Sequence, residues 1–209
     1  TGMGTTFTAA SVISFFFEKN LKKKYDWVNI KSVLASEGSL HELRSNMSDT
    51  ILVVIAQSGT TRDTNIFAEL CRERKCKVIT FLNKRDGDIS YIAHNTFYIG
   101  DGRDVEMSVP STKTFFAHII LGIIFLSYLL NSKIFDLNSL ETKNFYKKYS
   151  KLFYQLNLSK LYKKFSTNRN WFILSDNKLN ENIANEARIK YSECCYKSTA
   201  IMDIDKFKN

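Results

Sequence analysis

Serine and threonine hydroxyls stand just ahead of helical patterns at three places: Gly4-Thr5-Thr6, Ser58-Gly59-Thr60-Thr61 and Ser111-Thr112-Lys113. A hydroxyl at a helix start sits beside unpaired backbone N–H groups and the positive end of the helix dipole, a setting that favours an oxyanion. The middle turn says most. The apolar, mainly β-branched run Ile51-Leu-Val-Val-Ile-Ala56 leads straight into Gln57-Ser-Gly-Thr-Thr-Arg-Asp-Thr64, and Ile66, Phe67, Leu70 and Cys71 then recur at helical spacing. A buried strand that turns into a helix at Ser58, Thr60 and Thr61 has the architecture of a phosphate-binding turn. One such turn alone is equally an ordinary N-cap. Three turns gathered at the carboxyl ends of parallel strands make a site for an oxyanion or a polyol. Pro110 presets φ in the third turn.

Other chemistries find less support. G-x-x-x-x-G-K-[ST] and G-x-S-x-G do not occur, and Gly2-x-Gly4 lacks the third glycine of a dinucleotide fingerprint. His41, His94 and His118 are scattered and read as structural, so neither a metal nor another cofactor is expected.

The elements that must position the turns follow from periodicity. A helical pattern runs from the first turn through Ala10, Ile13, Phe16 and Phe17; no strand precedes it, so the chain reads as truncated at its start. A strand near Val28–Ala35, a short helix near Leu40–Met47, the strand Ile51–Ala56, a helix from Arg62 to Arg74 and a strand Val78–Leu82 come next. After a polar loop at 83–88, a short strand Thr96–Ile99 precedes Gly100-Asp-Gly102, and the third hydroxyl turn opens a long apolar helix. Alternating strands and helices predict an α/β fold, a parallel sheet flanked by helices in three layers. From about Asn138 to Ser166 the pattern is helical and lysine-rich, which suits a connector. A new strand at Trp171–Leu174, a polar loop at 175–180 and a helix with Glu186, Lys190 and Glu193 open a second, similar unit. The expected organisation is residues 1–135, a connector over 136–168, and the start of a second domain over 169–209.

Composition narrows the class. With 209 residues, 44% hydrophobic and 13% aromatic, the chain can bury a core, and one proline with eight glycines excludes low complexity. The net charge of +9 arises largely from lysines at 22–24 and between 143 and 164, interleaved with Tyr, Phe and Leu at helical spacing. That is a solvated helix face; no nucleic-acid motif accompanies it, and no nucleic-acid partner is expected. Cys71, Cys76, Cys194 and Cys195 show no zinc spacing; the adjacent pair cannot readily bridge without strain and so reads as buried packing residues. A reduced, cytoplasmic protein is expected. The apolar run Phe115–Leu130 falls short of the roughly 20 residues of a membrane span and is diluted by His118, Ser127 and Tyr128, so a buried helix is expected rather than a membrane contact.

Taken in order, Gly4-Thr5-Thr6, Gln57–Thr64 and Glu106-Met-Ser-Val-Pro-Ser-Thr-Lys113 resemble the SIS (sugar isomerase) domain. Within it they are similar to the isomerase half of glutamine–fructose-6-phosphate aminotransferase, which reads C-G-T-S, S-Q-S-G-E-T-x-D-T and E-x-x-V-A-S-T-K. The resemblance covers residues 1 to about 130. It resumes at Trp171–Ser198, where Glu186-Ala-Arg-Ile-Lys190-Tyr-Ser-Glu193 looks like the family's E-x-x-x-K-x-x-E helix. It implies a sugar phosphate, fructose 6-phosphate or a relative, held by Gly4, Thr5, Thr6, Gln57, Ser58, Gly59, Thr61, Val109, Ser111 and Thr112. It further implies that Glu193, with Lys190 beside it, shifts a proton between C1 and C2. From spacing alone, Glu186, Lys190 and Glu193 equally describe a charged helix face.

Met3, Thr6, Ala56 and Pro110 replace the family's Cys, Ser, Ser and Ala, and His118 stands where Gln is common. The family's glutaminase domain and the later histidine and lysine of its isomerase site have no counterpart in these residues. The segment is therefore expected to bind sugar phosphate more readily than to turn it over. A homodimer is expected by analogy. A phosphosugar-sensing module without chemistry and a glutamine-independent phosphosugar isomerase are the alternatives.

Overall fold

The computed structural model describes residues 1–100, 106–132, 134, 140–165 and 171–207. The elements run α1 (Thr5–Leu21), α2 (Ala35–His41), β1 (Ile51–Ala56), α3 (Arg62–Glu73), β2 (Lys77–Leu82), α4 (Ile89–Ile92) and β3 (Asn95–Tyr98). They continue with α5 (Lys113–Leu130), α6 (Leu140–Gln155), α7 (Leu158–Phe165), β4 (Phe172–Ser175), α8 (Lys178–Cys195), β5 (Ala200–Asp203) and α9 (Ile204–Phe207).

Side chains alternate across a strand, so a sheet buried on both faces needs apolar residues at every position. β1, β2 and β3 pair in parallel in that order, Ile51 opposite Lys77 through Ala56 opposite Leu82, and Ile79 opposite Asn95 through Leu82 opposite Tyr98. Val54, Ala56, Val78 and Leu82 face α2 and α3, packing with Ala35, Phe67, Ala68 and Cys71. Ile55, Ile79 and Phe81 face the other way, onto Ala9, Val12 and Ile13 of α1 and Phe115 of α5. Each Val, Leu, Ile or Phe side chain buried here contributes about 2 kcal/mol. These two cores make the three layers that the pattern predicts.

α5 lies over β2 and α1, with Phe125 edge-on to Phe81 at 5.7 Å between ring centroids and stacked on Phe17 at 6.4 Å. By length and composition it is the one helix among the described residues that could cross a membrane; a third of it is buried in the fold, His118 among those positions. The lysines of α6 and α7 at 143, 147, 148, 151, 160, 163 and 164 are all exposed. β4 and β5 pair in parallel around α8, a second strand–helix–strand unit.

Three expectations are corrected. Val28–Ala35 is not a strand: of these residues only Leu34 pairs among the described residues, in a single bridge to Gly2. The short helix lies at Ala35–His41 rather than Leu40–Met47. Its Gly38 fits under the Phe67 ring, where a Cβ would come within 2.5 Å of Cζ, so tertiary packing selects the helical segment. Cys194 and Cys195 are exposed, not buried. α8 docks on α1 through the face that carries Glu186, and Cys195 falls on the opposite side of the helix. The expected boundaries at 135/136 and 168/169, and Asp101-Gly102, lie outside the described residues.

Candidate functional site

Ile55 N donates to Thr1 O at 2.8 Å, which lays the first residues along β1 and brings Gly4–Thr6 to the strand's carboxyl end. Gly4 is the N-cap of α1 with φ +55°, a conformation that glycine adopts without a Cβ penalty. Thr6 Oγ1 closes the turn, accepting from Met3 N at 3.0 Å and donating to Met3 O at 2.9 Å. Next along the rim, Gly59 has φ +74°, and a Cβ there would meet Gly87 Cα at 2.9 Å. Ser58 Oγ accepts from Thr60 N at 3.2 Å and from Thr60 Oγ1 at 3.0 Å. No side chain caps α3, so the first-turn N–H groups have no intrahelical partner and the dipole faces the rim.

A cavity of about 180 Å³ opens between these turns. Gly4, Thr5, Thr6, Gln57, Ser58, Thr61, Val109 and Glu193 line it, together with Met3, Ile55, Ala56 and Thr64. Of the residues expected at a site, Gly59, Ser111, Thr112 and Lys190 lie outside the lining. Gly59 shapes the turn from behind, and Lys190 acts at one remove through Thr5 and Glu193.

The third turn differs from the other two. Ser111 is fully buried, and its Oγ meets no partner among the described residues. Thr112 N and Thr114 N donate to the Glu106 carboxylate at 2.9 and 2.8 Å, so an internal anion already occupies the start of α5. Burial alone would raise the Glu106 pKa, but the donors at Thr114, Thr112 and Lys113 outweigh it and hold the carboxyl below its ordinary value. Gln57 Nε2 spends its donors on this loop, reaching Glu106 O at 3.2 Å and Ser108 O at 3.0 Å, and Asn83 Nδ2 reaches Glu106 O at 3.1 Å. Sequence reading gave Glu106 no role; an acid seven residues before the first residue of a helix is its signal.

The second unit closes the site. Lys190 Nζ donates to Glu193 Oε2 at 2.6 Å and to Thr5 Oγ1 at 2.9 Å, and stands 3.3 Å from Glu186 Oε1. Thr5 Oγ1 donates to Glu186 Oε1 at 3.2 Å, and Thr8 Oγ1 to Glu186 Oε2 at 2.7 Å. Glu186 is 6% exposed, so its charge is compensated by two hydroxyls of α1 and one ammonium. Thr8, Thr64 and the buried state of Glu186 were missed, since no periodicity marks a threonine as the partner of an acid from another unit. The result is a pocket with hydroxyls and an open helix start on one wall and an ion-paired carboxylate on the other. Such a carboxylate can take up and return a proton.

The family model for the SIS domain matches residues 1–127. The glutamine–fructose-6-phosphate aminotransferase [isomerizing] of Helicobacter pylori is 30% identical over 118 residues, 56% of this chain and 18% of that protein. The Methanococcus maripaludis enzyme of the same name is 29% identical over 203 residues, 94% of this chain and 31% of that protein. The chain thus spans less than a third of these relatives' length. Among solved structures, the C-terminal domain of glucosamine-fructose-6-phosphate aminotransferase from Francisella tularensis superposes with a TM-score of 0.73 at 20% identity. It is covered over 58% of its length by the whole of this chain, a likeness of fold. Because the match runs from the first hydroxyl turn into α5, well over half of the residues, the chain belongs to the SIS domain family.

Proposed function

We propose that this chain binds a sugar phosphate, fructose 6-phosphate or a close relative, and supports its ketose–aldose isomerisation within a glutamine–fructose-6-phosphate aminotransferase-like enzyme. The observation that carries this reading is the meeting of Gly4–Thr6, Gln57, Ser58, Thr61 and Glu193 in one cavity. The phosphoryl group sits at the open start of α3, taking hydrogen bonds from Ser58, Thr61 and backbone N–H groups. Glu193 removes a proton from C1 of the open-chain ketose and returns it to C2, while the hydroxyl proton passes from O1 to O2 and the carbonyl thereby moves from C2 to C1. Lys190, itself hydrogen-bonded to Thr5, fixes the carboxylate for that transfer. In this proposal residues 1–135 form a first SIS domain and 169–209 begin a second, with a helical connector between them. Isothermal titration calorimetry with fructose 6-phosphate tests the binding step. Ser58→Ala with Thr61→Val weakens affinity by about tenfold or more if the hydroxyls donate to phosphate, whereas an unchanged affinity removes them from the site.

A further inference from the structure

Two exposed thiols stand side by side at the end of α8, immediately after Glu193. They belong to no packing cluster among the described residues, and the proposed mechanism uses neither. We propose that Cys194 and Cys195 are a thiol-oxidation site, closed into a vicinal disulfide by a peroxide, and that closure displaces Glu193 from the cavity.

The chemistry balances with peroxide as the two-electron oxidant. One thiolate attacks a peroxide oxygen, breaking the O–O bond and giving a sulfenic acid and one water. The neighbouring thiol then displaces the sulfenic oxygen as a second water, leaving an S–S bond. Two sulfurs are oxidised and both peroxide oxygens reduced.

The coupling is geometric. Consecutive residues of an α-helix do not face each other, whereas a disulfide brings its two Cβ atoms close together. The bond therefore cannot form while residues 194 and 195 keep helical backbone. The local fold makes unwinding inexpensive: α8 ends at Cys195, Tyr196 is in the left-handed region at φ +54°, and that residue is 93% exposed. Its N–H holds Ser192 O at 3.1 Å, a bond that unwinding breaks. Glu193 lies inside this last turn, and its 2.6 Å bond to Lys190 is lost once the turn opens. Glu186, two turns earlier and locked to Thr5 and Thr8, stays in place.

The test treats the full chain with hydrogen peroxide and reads intact mass and hydrogen exchange. The expected product is lighter by two hydrogen atoms, free of any disulfide to a second copy, reverted by dithiothreitol and absent from Cys194→Ser and from Cys195→Ser. Exchange over residues 190–196 rises at least about tenfold, while α1 stays protected. Oxygen additions with no loss of hydrogen, a disulfide-linked dimer, or unchanged exchange in the oxidised protein would overturn the proposal. Only the consequence for catalysis rests on the isomerase reading. If the reduced protein isomerises fructose 6-phosphate, oxidation slows it about tenfold or more. If the reduced protein isomerises nothing, that reading falls, and mass and exchange still decide the thiol chemistry.

Discussion

At the scale of single residues, the site depends on Glu186, a group that sequence spacing describes equally well as a surface charge. Its partners Thr5 and Thr8 lie 181 and 178 positions away, so nothing local could reveal that the carboxylate is buried. By contrast, the glycine and hydroxyl turns were legible, because strand, turn and helix start are consecutive in the chain. Thr8 offers a clean test, since it binds Glu186 without lining the cavity. Thr8→Val keeps the shape and removes the donor to a buried charge, so the protein loses about 1.5–3 kcal/mol in urea unfolding. Thr5 also touches Lys190 and the cavity, so Thr5→Val lowers ligand affinity as well as stability. On the proposed isomerase reading, Glu193→Gln in the intact protein keeps the fold and the affinity for a sugar phosphate but slows isomerisation, read from separate binding and turnover assays. Equal turnover in mutant and wild type would remove the carboxylate from the reaction.

At the scale of elements, packing decides what periodicity leaves open. β1 and β2 were visible as unbroken apolar runs because both of their faces are covered. α2 was misplaced because its sequence, Ala-Ser-Glu-Gly-Ser-Leu-His, has no apolar stripe; Gly38 beneath Phe67 supplies the reason for a helix there. A similar close approach joins α1 to α5. Gly122 faces Ile13, and a Cβ at that glycine would lie 2.7 Å from Ile13 Cγ1. Ile13 is buried and branched, so it has little room to yield. Gly122→Val forces the helices apart and costs about 1–3 kcal/mol. Ile13→Ala in the same background opens the space and recovers part of that loss. Chemical denaturation of the two variants checks this, and a strictly additive double mutant would show that the two positions do not interact.

For the molecule as a whole, a buried group outside the cavity contributes to acid sensitivity. His118 on α5 is 1% exposed, and its Nε2 meets no partner among the described residues. Burial pulls its pKa down to about 4, and the nearby carbonyls of Ala56, Phe81 and Thr114 only partly oppose that pull. In the unfolded chain the same imidazole titrates near its ordinary value of about 6.5. Between these values the unfolded state binds the extra proton and the folded state does not, so the folded state loses stability as the pH falls. The contribution is fully present above about pH 6.5, declines through the window, and levels off below about pH 4. Its full size is of order 3 kcal/mol, enough to matter against the 5–15 kcal/mol of a typical domain. Ala56, whose carbonyl lies near His118, also lines the cavity, so His118 sits next to the site. His118→Gln removes the titration while keeping a polar side chain of similar reach. Urea midpoints measured from pH 7 to pH 4.5 should fall steeply in the parent and markedly less in this variant. Parallel curves would place the acid sensitivity elsewhere.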